Sequence, residues 1–258
     1  MAVVGATSLS STHVLLLLLG GLGAGVVNGV AGGGSLISFP LLLALGYPAL
    51  TANITNTVGI WPGYVGGAAG FRNEISSQRD RLVPLGAVAA LGGIAGALLL
   101  LTTSSATFRN LVPWLVLGAS ILFAVQPLLK RALGGTAHSP PRTRPILLAG
   151  GTFAASVYGG YFGAGLGVML LAILGLALPD SIVRTSGLRT ALSILVNGVA
   201  AVVFLIHGGL AWEAVGLLAA GSLVGGWIGA QVALSIPAWA LRAVVVVIGL
   251  VTVVKLLV

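Results

Sequence analysis

The stretch AGGGSLISFPLLLALG (residues 31–46) sets a run of glycines before an apolar segment too short to cross a bilayer, and YFGAGLGVMLLAILGL (residues 161–176) repeats the arrangement in the second half of the chain. Short, glycine-interrupted hydrophobic segments at corresponding places in two halves point to the discontinuous helices of a secondary transporter, with substrate held at the interface between repeats. As a helix over 35–46 the first would be roughly 18 Å long against about 30 Å of hydrocarbon, so it begins inside the membrane. Irregular backbone at that depth packs in protein or lines a cavity, because free N–H and C=O groups would otherwise be unpaired in hydrocarbon. A helix N-terminus there offers N–H donors and the positive end of its dipole, which places Gly33, Gly34 and Ser35, and in the second half Gly163, Gly165 and Gly167, to cradle an anion. For most of the 40 glycines the expected role is close helix packing.

Composition agrees with a membrane protein. The chain has 258 residues, 57% hydrophobic and 6% charged, with a mean hydropathy of +1.13. That is too little polar surface for a water-soluble globule, and successive apolar stretches leave no room for a soluble catalytic domain. There is no cysteine, which removes thiolate chemistry, iron–sulfur clusters and disulfides. The net charge of +8 sits mostly beside segment ends, where it orients the chain in the membrane; nucleic acid is not an expected partner. The run VLLLLLGGLGAG (residues 14–25) has no Lys or Arg before it and continues apolar, so it reads as a retained first helix and not a signal peptide.

Hydrophobic segments are expected at 13–31, 35–46, 50–71, 82–101 and 109–130, and again at 146–164, 166–177, 182–206, 212–231 and 237–257. The polar stretch KRALGGTAHSPPRTRP (residues 130–145) separates them. The organisation is a first membrane repeat over 1–130, a cytoplasmic linker over 131–145 and a second membrane repeat over 146–258. Gly29 answers Gly159, Gly33 answers Gly163, Pro48 falls near Pro179, and ANITN answers VRTSG. The fold class is therefore all-α and polytopic, two repeats of five segments whose second and seventh members are short and broken. An odd number of crossings per repeat makes the topology inverted. Arg72, Arg79 and Arg81 of the 71–81 loop and Lys130, Arg131, Arg142 and Arg144 of the linker share one side, the cytoplasmic one. Ten crossings put both termini outside; if each broken pair makes one pass, eight crossings put them inside.

Polar residues open the segments that follow the breaks, TANITNT (residues 51–57) and IVRTSGLRT (residues 182–190). Amides and hydroxyls suit an oxyanion. Asn53 and Thr51 read as caps, while Asn56, Thr57 and Ser186 lie further in and are placed either for structure or for a cavity. Arg189 is the sharpest single residue, with an apolar span after it and no acid within four positions. A charge at bilayer depth costs about 2.5–3.5 kcal/mol, so it faces a cavity or partner, or else snorkels to the cytoplasmic interface. Arg184 reads as an orientation charge. Asn28 and Asn197 both stand in VNGVA, as interhelical glue or cavity donors. Trp61, Tyr64, Tyr158 and Tyr161 line the path or anchor at the interface.

All four acids, Glu74, Asp80, Asp180 and Glu213, fall in loops or at segment ends, which argues against a carboxylate-coupled pump. The lack of clustered His, Cys and carboxylates disfavours a metal ion as the solute, and no cofactor is expected. A hydrolase using Ser35 with His207 would need the two to meet, and nothing in the pattern brings them together. An enzyme is not expected.

The glycine-rich break before SFPLLLALG (residues 38–46), the TANITN cluster, the recurrence of both, and the ending GSLVGGWIGAQVALSIPAWALRAVVVVIGLV (residues 221–251) together resemble the TauE/SafE family of sulfite exporter-like permeases over nearly the whole chain. The resemblance implies an all-helical permease in the plasma membrane whose partners are the lipid bilayer and a small sulfur-containing anion such as sulfite or an organosulfonate. Carried onto this chain, it favours Gly32, Gly33, Gly34, Ser35, Asn53, Thr55 and Asn56 in one half and Gly163, Gly165, Gly167, Thr185 and Ser186 in the other, beside Arg189. The chain departs from many relatives at VRTSG, where they carry a glycine-rich cluster, which makes Arg184 a candidate for altered selectivity. An anion channel, or a permease for another small solute, uses the same architecture with a different lining. Oligomeric state, direction and energy source stay open.

Overall fold

The structure is a computed structural model that describes residues 10–30, 32–134, 145–178, 180–232 and 238–258. The described residues form helices α1 (Ser11–Val30), α2 (Ser35–Ala44), α3 (Ala49–Ala68), α4 (Arg72–Ser76), α5 (Arg79–Thr102), α6 (Ser105–Gly134), α7 (Pro145–Tyr161), α8 (Leu166–Ala177), α9 (Ile182–His207), α10 (Trp212–Val232) and α11 (Ala238–Leu257), with a short 3-10 turn over Ala69–Phe71. Every expected hydrophobic segment has become a helix with ends shifted by a few residues. The 71–81 loop holds the one-turn α4, and α6 carries on to Gly134, past the expected start of the linker. The rest of that linker, 135–144, lies outside the described residues.

Among the described residues, α1, α5, α6, α9, α10 and α11 are long and apolar enough to cross a membrane, while α2 and α8 are apolar but short. α2 has 10 residues, about 15 Å of helix. It ends two residues before the expected boundary because Gly46 takes a left-handed conformation, φ 87°. The N–H of Tyr47 then donates to Leu42 O at 3.1 Å and that of Gly46 to Leu43 O at 3.0 Å, which satisfies the last carbonyls of the helix. Such closure matters more in lipid than in water, since no solvent would take those carbonyls.

The halves interlock. α1 packs along α10 and α7 along α5; α3 also lies against α10 and α9 against α5. α3 and α9 pack against each other, and α6 packs against α11. Each half's first helix thus rests on the other half's long fourth-segment helix. Small residues permit the approach: a Cβ on Gly225 of α10 would lie 2.1 Å from Leu22 O of α1, and one on Gly160 of α7 would lie 2.1 Å from Gly93 O of α5. With hydrocarbon outside, no hydrophobic effect drives helices together, and backbone-to-backbone van der Waals contact takes over. The outer face stays apolar, with Leu15, Leu91, Trp114, Val202 and Trp239 exposed.

An aromatic cluster joins the short helix α2 to the turn that precedes the short helix α8. Phe39 of α2 meets Phe162 edge-on at 5.3 Å between centroids, and Phe162 in turn meets Tyr158 at 6.4 Å and Phe108 at 6.5 Å. Phe39, Phe108 and Phe162 are all buried. This fixes α2 against the second interruption, so the broken segments of the two halves face each other.

Candidate functional site between the helix interruptions

Both interruptions open with the same turn and differ at the start of the next helix, where Gly34 is right-handed, φ −59°, and Gly165 left-handed, φ 84°. At the first, Gly32 has φ 78° and its N–H reaches back to Val27 O at 2.9 Å. At the second, Gly163 has φ 80° and donates to Tyr158 O at 3.4 Å. The structural counterpart of Gly163 is therefore Gly32, one residue earlier than the pairing with Gly33 expected from sequence. A left-handed backbone needs glycine, and it is the turn in φ that sets the register.

Side chains close what the turns leave open. The Asn28 Oδ1 accepts from the N–H of Gly34 at 2.8 Å, so the last turn of α1 caps the first turn of α2. Tyr158 donates from its hydroxyl to Ala164 O at 2.7 Å within the second interruption. Asn53 of α3 donates from Nδ2 to Tyr161 O at 2.9 Å, tying the first half to the end of α7. A buried carbonyl or N–H without such a partner costs about 1–3 kcal/mol.

Arg189 lies where the interruptions meet. Its residue is 5% exposed. A Cβ on Gly32 would lie 2.8 Å from Arg189 Nη1 and 3.7 Å from Gly167 Cα, and one on Gly167 would lie 3.0 Å from Gly32 O and 3.4 Å from Nη1. The guanidinium is pressed against both glycines, which rules out the alternative in which it snorkels to the interface. Beside it is a small cavity of about 10 Å³ lined by Asn28, Gly32, Tyr64, Arg189, Thr190 and Ser193, room for a water-sized group. Ser35, 3% exposed, lies close to the Tyr64 hydroxyl.

The remaining expected site residues are placed elsewhere. Gly33 faces the Phe123 ring, where a Cβ would come to 2.4 Å, and Gly34 faces Ala24 O. Gly165, φ 84°, packs on Ala119 of α6, and Gly163 sits 3.4 Å, measured from an added Cβ, from Asn197 Oδ1. Thr55 Oγ1 accepts from the N–H of Ala211 at 3.0 Å and holds the start of α10. Asn56 accepts from Ser38 Oγ of α2. Thr185 donates to Ser181 O at 3.0 Å, and the Ser186 carbonyl accepts from Thr190 Oγ1 at 2.8 Å, both inside the first turns of α9. These polar groups stitch helices; Gly32, Gly167 and Arg189 are the expected residues that converge, with Ser35 next to them. Asn28 and Tyr64 were weighed from sequence without being chosen, and Thr190 and Ser193 were missed. Ser193 had a signal: it follows Arg189 by four residues, one turn along the same helix face.

Arg184 has a more specific place than an orientation charge. Asp180 takes a salt bridge from Arg184 Nε at 2.9 Å and another from Arg81 at the start of α5. Gln78, buried, donates from Nε2 to Glu74 O and to Arg184 O, each at 2.9 Å. The 71–81 segment of the first half is thereby clasped to the start of α9. Ser35 and His207 do not form a nucleophile and base: His207 is exposed at the end of α9, its Nδ1 2.8 Å from Val203 O.

Comparisons with known proteins point to a membrane transporter. Three relatives, each aligned over 91% of this chain, are named as membrane transporters: a "Probable membrane transporter protein" of Haemophilus influenzae, 28% identical with 90% of its length covered; "Probable membrane transporter protein YfcA" of Escherichia coli K12, 25% identical with 86% covered; and "Probable membrane transporter protein ORF9" of Sinorhizobium sp, 22% identical with 88% covered. No solved structure matches the chain. The pattern described as "Sulfite exporter TauE/SafE" matches residues 17–256. With its apolar helices and paired interruptions, the chain belongs to the TauE/SafE family and is a multi-pass membrane transporter.

Proposed function

We propose that the protein moves small sulfur-containing anions, sulfite or organosulfonates, across the plasma membrane, and that the anion is held by Arg189 between the two helix interruptions. The observation that carries this is the burial of Arg189 against Gly32 and Gly167. An arginine at membrane depth costs about 2.5–3.5 kcal/mol to insert, and such residues mark substrate pathways. Its planar fork of N–H donors matches the oxygens of a sulfonate or sulfite group. Tyr64, Thr190 and Ser193 line the cavity beside it with hydroxyls, Ser35 stands next to Tyr64, and the starts of α2 and α8 add the positive ends of two helix dipoles.

Alternating access follows from an inverted repeat. In its support, the helices of one half are packed by those of the other in exchanged pairs, α1 on α10 and α7 on α5, and Gly32 and Gly163 make matching turns. At about 10 Å³ the cavity is smaller than the anion. The interruptions must part to admit substrate, as a carrier requires. Uptake of radiolabelled sulfite and methanesulfonate into proteoliposomes tests the reading. Saturable flux that is stimulated by substrate on the opposite side is expected; flux no greater than in protein-free vesicles for every sulfur anion tried would overturn it.

A further inference from the structure

Building on the reading that Arg189 holds a sulfur anion, we propose that the site takes one negative charge only, so that sulfite travels as hydrogensulfite, carrying its proton, and dianions such as sulfate and thiosulfate are refused. Among the described residues lining the cavity, Arg189 alone is charged. The described groups that face it from the elements packed around it carry no charge: Asn28 from α1, Gly32 from the first interruption, Tyr64 from α3, Gly167 from α8, and Thr190 and Ser193 from α9 itself. Tyr64 is the one other titratable side chain among the described lining residues. The acids of the whole chain, Glu74, Asp80, Asp180 and Glu213, sit at the beginnings of helices or between them. Arg109 and Arg131 lie near the ends of α6, and Arg242 and Lys255 near the ends of α11.

One guanidinium neutralises one charge. A second negative charge on the ligand would be buried with no cation to meet it, and a buried unpaired charge is among the most costly things a membrane protein can hold. The helix dipoles favour an anion without meeting a second full charge: each start supplies about half an elementary charge that falls off within a turn, and at α2 the N–H of Gly34 is already given to Asn28. Neutral donors are the other half of the recognition. Asn28 is 6% exposed, lines the cavity beside Tyr64, and its Nδ2 makes no hydrogen bond of ordinary length among the described residues. That donor, with the hydroxyls of Tyr64 and Ser193, suits the oxygens of hydrogensulfite or of a sulfonate, and Thr190 Oγ1, whose proton goes to Ser186 O, is left to accept from the retained hydroxyl of hydrogensulfite.

The second proton of sulfurous acid leaves near neutral pH, whereas methanesulfonate carries one charge throughout. Binding and proteoliposome uptake of both by the wild-type protein, one pH unit below and one above that ionisation, separate the outcomes. Apparent affinity for total sulfite falls about tenfold across the interval, following the hydrogensulfite fraction, while methanesulfonate is unchanged and neither sulfate nor thiosulfate competes. Sulfite affinity independent of pH, or competition by sulfate or thiosulfate comparable with methanesulfonate, overturns the single-charge proposal while leaving sulfur-anion transport in place. If no sulfur anion binds or moves at either pH, the transport reading falls and this proposal with it. A fall for both ligands would assign the pH dependence to the protein and likewise overturn it.

Discussion

Asn53, one turn into α3, donates to the carbonyl oxygen of Tyr161, the last residue of α7, over 2.9 Å. An amide in the first half therefore closes the helix end at which the second half breaks. This is a structural role for a residue whose position after the first interruption also suits a ligand, and it explains why the interruption is stable in a setting without water. Asn53 is 1% exposed.

Replacing Asn53 with Leu leaves the Tyr161 carbonyl without that donor. The expected loss is about 1–3 kcal/mol, seen as a lower unfolding temperature in detergent. Thr57→Val is the comparison: its hydroxyl returns to Asn53 O within the same helix, and its removal is expected to cost less, about 1 kcal/mol or below. Equal losses would show that the bridge between halves carries no special weight.

Gly32→Ala meets two obstacles at once. The backbone at φ 78° disfavours a side chain, and the new Cβ would press 2.8 Å from Arg189 Nη1. Transport in proteoliposomes is expected to fall at least about tenfold, because a displacement of roughly an ångström at a binding group has effects of that size or more. Gly118→Ala in α6, where a Cβ meets nothing within 4 Å, is expected to keep wild-type flux.

Arg189→Gln removes the charge that the anion would meet, and affinity for sulfite is expected to fall about 100-fold, the scale of losing one partner of a buried charged pair. Arg189→Lys restores the charge without the fork and recovers part of the affinity. Isothermal titration on purified protein measures both. A lysine variant as tight as wild type would mean that charge alone, without planar geometry, is recognised.

Asp180→Asn dissolves the salt bridges to Arg81 and Arg184. Those arginine side chains are 39% and 41% exposed, so solvent screens the pairs and the expected loss of stability is under about 1 kcal/mol. The loss should shrink further at high salt. Thermal unfolding at low and high ionic strength checks both statements, and anion affinity is expected to stay at the wild-type value.

The long apolar runs and the two glycine-rich breaks were legible because lipid leaves a chain few choices: backbone groups must be satisfied within helices, and hydropathy marks where those helices run. Arg189 stood out for the same reason, a charge in an apolar span. Register across the breaks was not legible, since Gly32 and Gly33 are chemically the same and only the direction of φ selects Gly32 as the partner of Gly163. Nor could the pattern tell a ligand from a stitch. Asn53, Thr55 and Asn56 have the chemistry of an anion site, and the fold spends them on Tyr161, Ala211 and Ser38.

By itself, then, the order of residues determined the helices, their interruptions and the membrane setting, because these depend on local hydropathy and on backbone groups that must pair with near neighbours. Tertiary structure alone decided that Gly32 and Gly167 from different halves close on Arg189, and that Tyr64 of α3 joins Thr190 and Ser193 of α9 around it. Those contacts join residues far apart in the chain, and they exist only because α3 and α9 pack against each other.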